Sequence, residues 1–589
     1  MKKKLILLCF VLLPAVYACA AIDNKGTDFW ICFPATNHLS GGGVKTLNIT
    51  GNTATTGNIS IPGLGYTQDF TVTPGVMTSI TLPLAAEPLD TVGESITNVG
   101  IHVTSADSIA VYGLSWLLAI ADAYLALPVP SLGNEYIAAT YKNSPGLPGS
   151  EFAVTACQDN TTLTITPSTA TGGHAAGVQY NIVLNQGQVY QLLNGDASGD
   201  LTGSIVLSDK PVAFFGAHRC VLIPQNIQTC DYIVEQIPPV PSWGTEFVSI
   251  PLQGRMNGDT YRIVGSQDNT SVYINGVLVS LNRTQFYENI YSVPLHITSD
   301  KPVMVMQYAN GSQYDGQLGD PFMMYIPPIE QYLNSYTVIN PDINFTLNYL
   351  NLLVPDSETS AVNLDGTNVP ASSFFPVGAT GYSGAQIPVN IGTHNVSSLL
   401  PFGIFIYGWG DYISYGYTGG MSLSDLQKTA TVTPTITPTW TFSATASSTP
   451  SRTPTFTITQ THTSTYTPTY TQTATPTTTP TFTPTCTNTP VPFVFIIKGA
   501  FPNPSVYNSH IVYYLSRDAH VTMQVFDVSG EKVRFNEMEG YGGYNEWFWD
   551  ASNHAVKPVA SGVFIIKGTA VDPIYGGKYI DWCKAAITK

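Results

Sequence analysis

The side chains best suited to chemistry in this 589-residue chain gather between His218 and Trp243. His218, Arg219 and Cys220 are consecutive, and Cys230, Asp231 and Glu235 follow shortly after. A thiol beside an imidazole is the pattern of a covalent nucleophile, but it requires Cys220 to be reduced. Asp231 and Glu235 lie four apart in a strand-like segment, so they share a face and could serve as the carboxylate pair of a glycoside hydrolase. The competing reading closes a loop with a Cys220–Cys230 disulfide, anchored by His218 and Arg219. On that reading no residue is catalytic, and His218, Arg219, Asp231, Glu235 and Trp243 form a candidate binding surface. Trp30, Trp116 and Trp409 could extend it as a platform, although core packing is the ordinary use of a Trp such as Trp243.

Other motifs are sparse. Asp159 and Asp268 sit in Gln-Asp-Asn-Thr turns, and 194–200 is an Asn/Asp/Gly-rich loop. Calcium is the ion such loops could take, yet one acid and one amide are too few ligands for it. The turn reading is favoured, and neither a metal site nor a cofactor is assigned. The chain has no G-x-S-x-G elbow, no H-E-x-x-H and no glycine-rich phosphate loop.

Residues 1–20 read as a signal peptide: Lys2–Lys4, an apolar run broken by Pro14, and a small-residue cleavage site ending at Ala20. A lipidated Cys19 is the alternative, disfavoured by the bulky Tyr17. No later run is long enough for a membrane helix. The reading is therefore an extracellular or cell-surface protein without a transmembrane span. Cys32, Cys157, Cys220, Cys230, Cys486 and Cys583 remain after cleavage. Export favours disulfides, with Cys220–Cys230 first and Cys32–Cys157 second.

The composition is apolar and aromatic with few charges, 11 %. β-branched residues, Tyr and Gly point to many short strands and tight turns. Residues 21–427 carry 9 Lys/Arg and 30 Asp/Glu, whereas 493–589 carry 9 of each. An acidic body repels phosphate backbones, which argues against nucleic acid as a partner. Between them, 429–492 hold 29 Thr and 10 Pro. Such a tract has no apolar face and reads as an extended linker, on the order of 200 Å at full length. The acidic body repeats. Gly26-Thr27-Asp28-Phe29 returns as Gly133-Asn134-Glu135-Tyr136 and Gly244-Thr245-Glu246-Phe247, the last two preceded by Pro-Val-Pro-Ser. A Ser-Asp-Lys-Pro-Val strand closes two units, at Ser208 and Ser299, and a looser fourth unit follows. The fold class is all-β. The head, 21–427, is read as four tandem β-sandwich-like repeats, with a pseudo-fourfold propeller as the alternative. A linker, 428–492, and a C-terminal β-sandwich, 493–589, follow.

The stretch from Cys230-Asp231-Tyr232 through Glu235-Gln236-Ile237-Pro238-Pro239 to Trp243-Gly244-Thr245-Glu246-Phe247 resembles the N-terminal domain of the IgGFc-binding protein family. With Gly26–Trp30 and the Lys210–Cys220 segment, the resemblance covers about 24–420. It implies an extracellular binding or adhesion module that takes a protein or glycan ligand. Ala500-Phe501-Pro502-Asn503-Pro504, Val521–Gly530 and Ala560–Phe564 resemble the immunoglobulin-like domain of flagellar-hook-capping proteins and of type IX secretion sorting domains. Both resemblances suggest a bacterial surface protein. The function expected is a non-enzymatic surface adhesin with its head on a stalk. The alternatives are a structural surface-layer component and an extracellular polysaccharide hydrolase.

Overall fold

The computed structural model describes residues 23–36, 43–117, 120–227, 229–341, 343–423, 493, 495–501, 505, 509–541, 543–555, 557–573 and 576–588. The expected signal peptide, the Thr/Pro linker and Cys486 lie outside them. The chain divides into two compact units, one on each side of residues 439 and 440.

The head is built on four long strands: Ile101–Leu117, Ile205–Leu222, Leu295–Tyr308 and Gly392–Gly410. Each serves two layers of one unit. The first half of Ile205–Leu222 pairs with Gly133–Ile137 and Thr161–Thr166; the second half pairs with Ser150–Ala156 and Cys230–Gln236. The other three units repeat this pattern. In every unit the register slips where the strand changes layer, and in units 2 and 3 the slip falls on Ser-Asp-Lys-Pro. A proline is tolerated there because a bulge needs one ladder donor fewer. The neighbouring Asp and Lys fasten the Gln-Asp-Asn-Thr turn. Asp209 accepts a bond from the Thr162 amide at 2.8 Å, and the Lys210 ammonium donates to the Asn160 carbonyl at 2.8 Å. Asp300 and Lys301 hold Ser271 and Asp268 in the same way. Asn160 and Asn269 take the positive φ, 52° and 55°, that Asn tolerates in a turn.

The all-β, sandwich-like class is thus what the chain adopts. The units are the sandwich-like repeats expected, and they also close into a ring, which the tandem reading did not include. The final strands of the units, Ile120–Leu125, Cys230–Gln236, Met323–Ile326 and Ile413–Thr418, lie against one another in succession, and the fourth lies against the first. The ring is sealed where the head begins and ends: the Asn24 amide donates to Met421 O at 3.1 Å, and the Met421 amide returns a bond to Asn24 Oδ1 at 3.1 Å.

The repeated glycines explain themselves at the joints between units. A Cβ placed on Gly26 would sit 2.4 Å from Pro128 Cβ, one on Gly133 2.5 Å from Pro239 Cβ, and one on Gly244 2.4 Å from Pro328 Cβ. Each Gly meets the proline that leads into the next unit, and no side chain fits between them. The fourth unit begins at Leu333, and among the described residues no fifth unit supplies a proline against it.

The tail is a sandwich of a three-stranded sheet, Phe495–Phe501, Ser509–Leu515 and Gly543–Trp549, and a four-stranded sheet. The second sheet runs in the order Lys532–Gly540, Ala519–Phe526, Gly562–Val571, Lys578–Ile587. Ile511, Tyr513, Val521, Met523, Ile566 and Trp549 fill its core.

Candidate functional site

Two of the candidate residues lie together, but inside the protein. Asp231 and Glu235 face the ring centre from Cys230–Gln236, and both are buried. Asp231 Oδ1 accepts the amides of Ala121 at 2.6 Å and Tyr232 at 2.7 Å. Glu235 Oε2 accepts the amide of Tyr325 at 3.1 Å. Asp231 therefore holds the inner strand of unit 1, and Glu235 holds that of unit 3 and, through Leu125, that of unit 1 as well. Two acids four apart on one strand do share a side, as expected, but that side is the joint.

Between them stands a residue the sequence reading missed. Asp122 Oδ1 accepts from Ala123 at 2.8 Å and Gly416 at 3.3 Å; Oδ2 accepts from Val234 at 2.9 Å and Met323 at 3.3 Å. These four amides belong one to each unit. Burial raises the carboxyls of Asp122, Asp231 and Glu235 well above the usual range, while the amide bonds pull the other way. A lone acid inside the apolar run Ile120–Leu125 was the available signal.

The rest of the candidate surface is likewise structural. Trp243 is fully buried, and its indole N–H donates to Pro238 O at 3.1 Å. His218 is fully buried; its Nδ1 accepts the Cys220 amide at 3.2 Å, and burial lowers its pKa to about 3. Arg219 alone reaches toward solvent, donating to Pro148 O at 2.8 Å and pairing with Asp90. A binding surface of His218, Asp231, Glu235 and Trp243 is corrected by this burial: a partner arriving from water cannot touch them. The hydrolase reading of Asp231 and Glu235 fails for the same reason, since no substrate reaches a carboxylate sealed between strands. Trp30 and Trp409 are buried too, so the four tryptophans form no platform.

Cys220 and Cys230 are bonded, with Cα atoms 5.2 Å apart. Cys32 and Cys157, the second expected pair, are both free and buried. The Cys32 thiol meets the Thr155 side chain and the Cys157 thiol the Ala213 backbone, so they have separate partners; burial pushes each up to about 12. The calcium candidates are occupied by protein groups. Asp159 accepts the Gln186 amide at 3.0 Å, Asp268 the Arg283 amide at 3.1 Å, and Asp200 pairs with Arg262 at 2.9 Å. Among the described residues no three His, Cys, Asp or Glu side chains converge as a metal site.

Arg262, also missed from sequence, is buried at the joint of units 2 and 3. It pairs with Asp200 and with Glu288 at 2.6 Å, donates to Thr202 at 2.8 Å, and lies 4.0 Å from the Tyr141 ring centroid. What the head offers to solvent is different. At the joint of units 3 and 4, Met256, Leu318 and Tyr412 are 75 %, 46 % and 56 % exposed. Their segments are tied together: the Gly319 amide donates to Gly410 O at 3.1 Å, and Gln317 reaches Met256 Sδ at 3.8 Å. Beneath them Arg255 stacks 4.1 Å from the Trp409 ring centroid and pairs with Asp315 at 3.1 Å. A cleft of about 440 Å³, lined by Pro251–Met256, Pro294, Phe375 and Gln386, opens beside this rim.

The head is thus an all-β ring of repeats whose polar centre is structural, with Met256, Leu318 and Tyr412 among its exposed apolar residues. Residues 122–408 match the family described as IgGFc binding protein, so the resemblance read from the sequence is shown over that stretch. The chain is 26 % identical over 362 residues to the human IgGFc-binding protein, an alignment covering 59 % of this chain and 6 % of that protein. Among solved structures, dimeric latent PorU from Porphyromonas gingivalis aligns at 10 % identity over 68 % of this chain and 35 % of that one, with a TM-score of 0.15. The trypsin-activated alpha-2-macroglobulin from Escherichia coli aligns at 8 % identity over 96 % and 49 %, with a TM-score of 0.14. Scores so low carry no argument about the fold.

Proposed function

We propose that this chain is an exported, surface-displayed adhesin that binds an extracellular protein through the rim of its head. The family match over 122–408 carries the reading. Exposed Met256, Leu318 and Tyr412 beside a cleft supply the apolar contact that protein interfaces concentrate at their centres. The head's charge favours a partner with a basic patch. The Thr/Pro tract serves as the spacer, and the tail sandwich holds or sorts the molecule at the cell surface. Binding of the immunoglobulin Fc fragment is one candidate among protein ligands.

The test is a protein array, with Fc included, probed with the full chain and with a Met256→Asp, Tyr412→Ala double variant. The expected result is at least one protein ligand whose affinity drops about tenfold or more in the variant, with thermal unfolding unchanged. No protein ligand, or a ligand indifferent to the double variant, would overturn the rim as the recognition site.

A further inference from the structure

The tail carries a surface that the head's function does not use. In its four-stranded sheet the strands alternate, so Val521, Met523, Val525, Ile566 and Ala585 point into the core and their neighbours point out. The register aligns the outward residues in rows across the strands. One row is Trp582, Lys567, Gln524, Phe535; the next is Lys584, Ile565, Phe526, Lys532. Neither row contains an acid. Trp582 is 52 % exposed and Ile580, beside it on the same face, 51 %. The Lys567 ammonium lies 5.1 Å from the Trp582 ring centroid, and that of Lys532 lies 5.4 Å from Phe535.

The solvent face of an antiparallel sheet is ordinarily polar, and an exposed apolar patch rimmed by charge marks an interaction site. In these two rows three of the apolar groups, Trp582, Phe526 and Phe535, are flat rings and the charges are positive; Glu537 and Glu539 stand on the same face one and two rows further along. A row across four strands spans about 14 Å, enough for a few sugar rings laid end to end. We propose that this face binds an anionic polysaccharide. Trp582 and Phe535 take the apolar faces of pyranose rings, and Lys567 and Lys532 take the carboxylates. Lys567, Lys532 and Lys584 give these two rows a positive charge, whereas the acidic head would repel the same polymer. This inference stands on the tail alone and does not depend on the head's ligand.

The experiment uses the full chain with polygalacturonate as the probe and dextran as the neutral control, followed by affinity electrophoresis at low and high salt. Binding to polygalacturonate that weakens with salt is expected, with none to dextran. Trp582→Ala should weaken it about tenfold or more, because ring stacking is lost at an exposed site. Lys567→Gln should weaken it a few-fold and flatten the salt dependence. Unfolding of the tail should be unchanged in both, since neither side chain is in the core. Absence of polygalacturonate binding, equal binding to dextran, or wild-type binding by Trp582→Ala would each overturn the proposal. Retention of the head's protein ligand by Trp582→Ala keeps that result separate from the head reading.

Discussion

Asp122 shows how much one side chain can organise when it is buried among backbone donors. Its two oxygens satisfy amides from all four units, and an unmet buried donor costs roughly 1–3 kcal/mol. Asp122→Ala should therefore destabilise the head by about 3 kcal/mol or more, with Asp122→Asn milder because one oxygen remains. Urea unfolding of the two variants checks this. Buried titratable groups also give the head a pH profile. Asp259 is buried with Oδ2 accepting from Leu252 and Gln307, and burial lifts its carboxyl to about 7. Below about pH 4 it is protonated in both folded and unfolded chains. Between there and about 7 the unfolded chain ionises while the folded one keeps its proton, so stability falls as pH rises. His218 acts in the opposite direction: its folded value of about 3 means stability falls as pH drops from the ordinary histidine range toward that value. Between about pH 4 and 6.5 the two groups oppose each other, so each masks the other's slope. In Asp259→Asn the histidine contribution is left alone there, and the melting temperature should rise with pH more steeply than in the parent chain; an unaltered slope would show that other carboxyls dominate.

At the scale of elements, the joints rather than the strands carry the repeat signature. The glycines that open the units and the prolines that precede them touch across each joint. Gly133→Ala places a methyl carbon 2.5 Å from Pro239 Cβ and should cost about 1–3 kcal/mol by overpacking. Pro239→Gly removes the atom it meets, so the double variant should lose less than the two single losses added together. A double-mutant cycle measures the coupling, and strict additivity would place the strain elsewhere. The Gly-x-acid-aromatic pattern was legible in the sequence as a repeat. Its cause was not, because the partner of each Gly lies about 100 residues away, in a residue of the next unit.

For the whole molecule, ring closure has a consequence for folding. Bonds between Asn24 and Met421 join the two ends of the head, and one apolar core runs through units 1, 2 and 4 into unit 3. Such a body should unfold in one cooperative step, unlike an open array in which each repeat contacts only its neighbours. The tail has its own core and should add a separate transition. Calorimetry of the full chain should show these two events, and Asn24→Ala should lower only the head's transition.

Local patterning by itself determined the class of the fold, the number of units and the disulfide: alternation, turn residues and paired cysteines act over a few positions, so they can be read along the chain. The Cys220–Cys230 loop is a short-range feature of that kind. Tertiary structure decided everything that depends on closure. It turned Asp231 and Glu235 from a candidate surface into the polar centre of a ring and buried His218 and Trp243 elsewhere in the head, because the position of a strand relative to the axis is set by all four units together. It gave Asp122 its importance through partners up to 294 residues distant in sequence. It also set Trp582 and Phe535 in one row, since register across four strands is fixed by pairings that no single segment encodes.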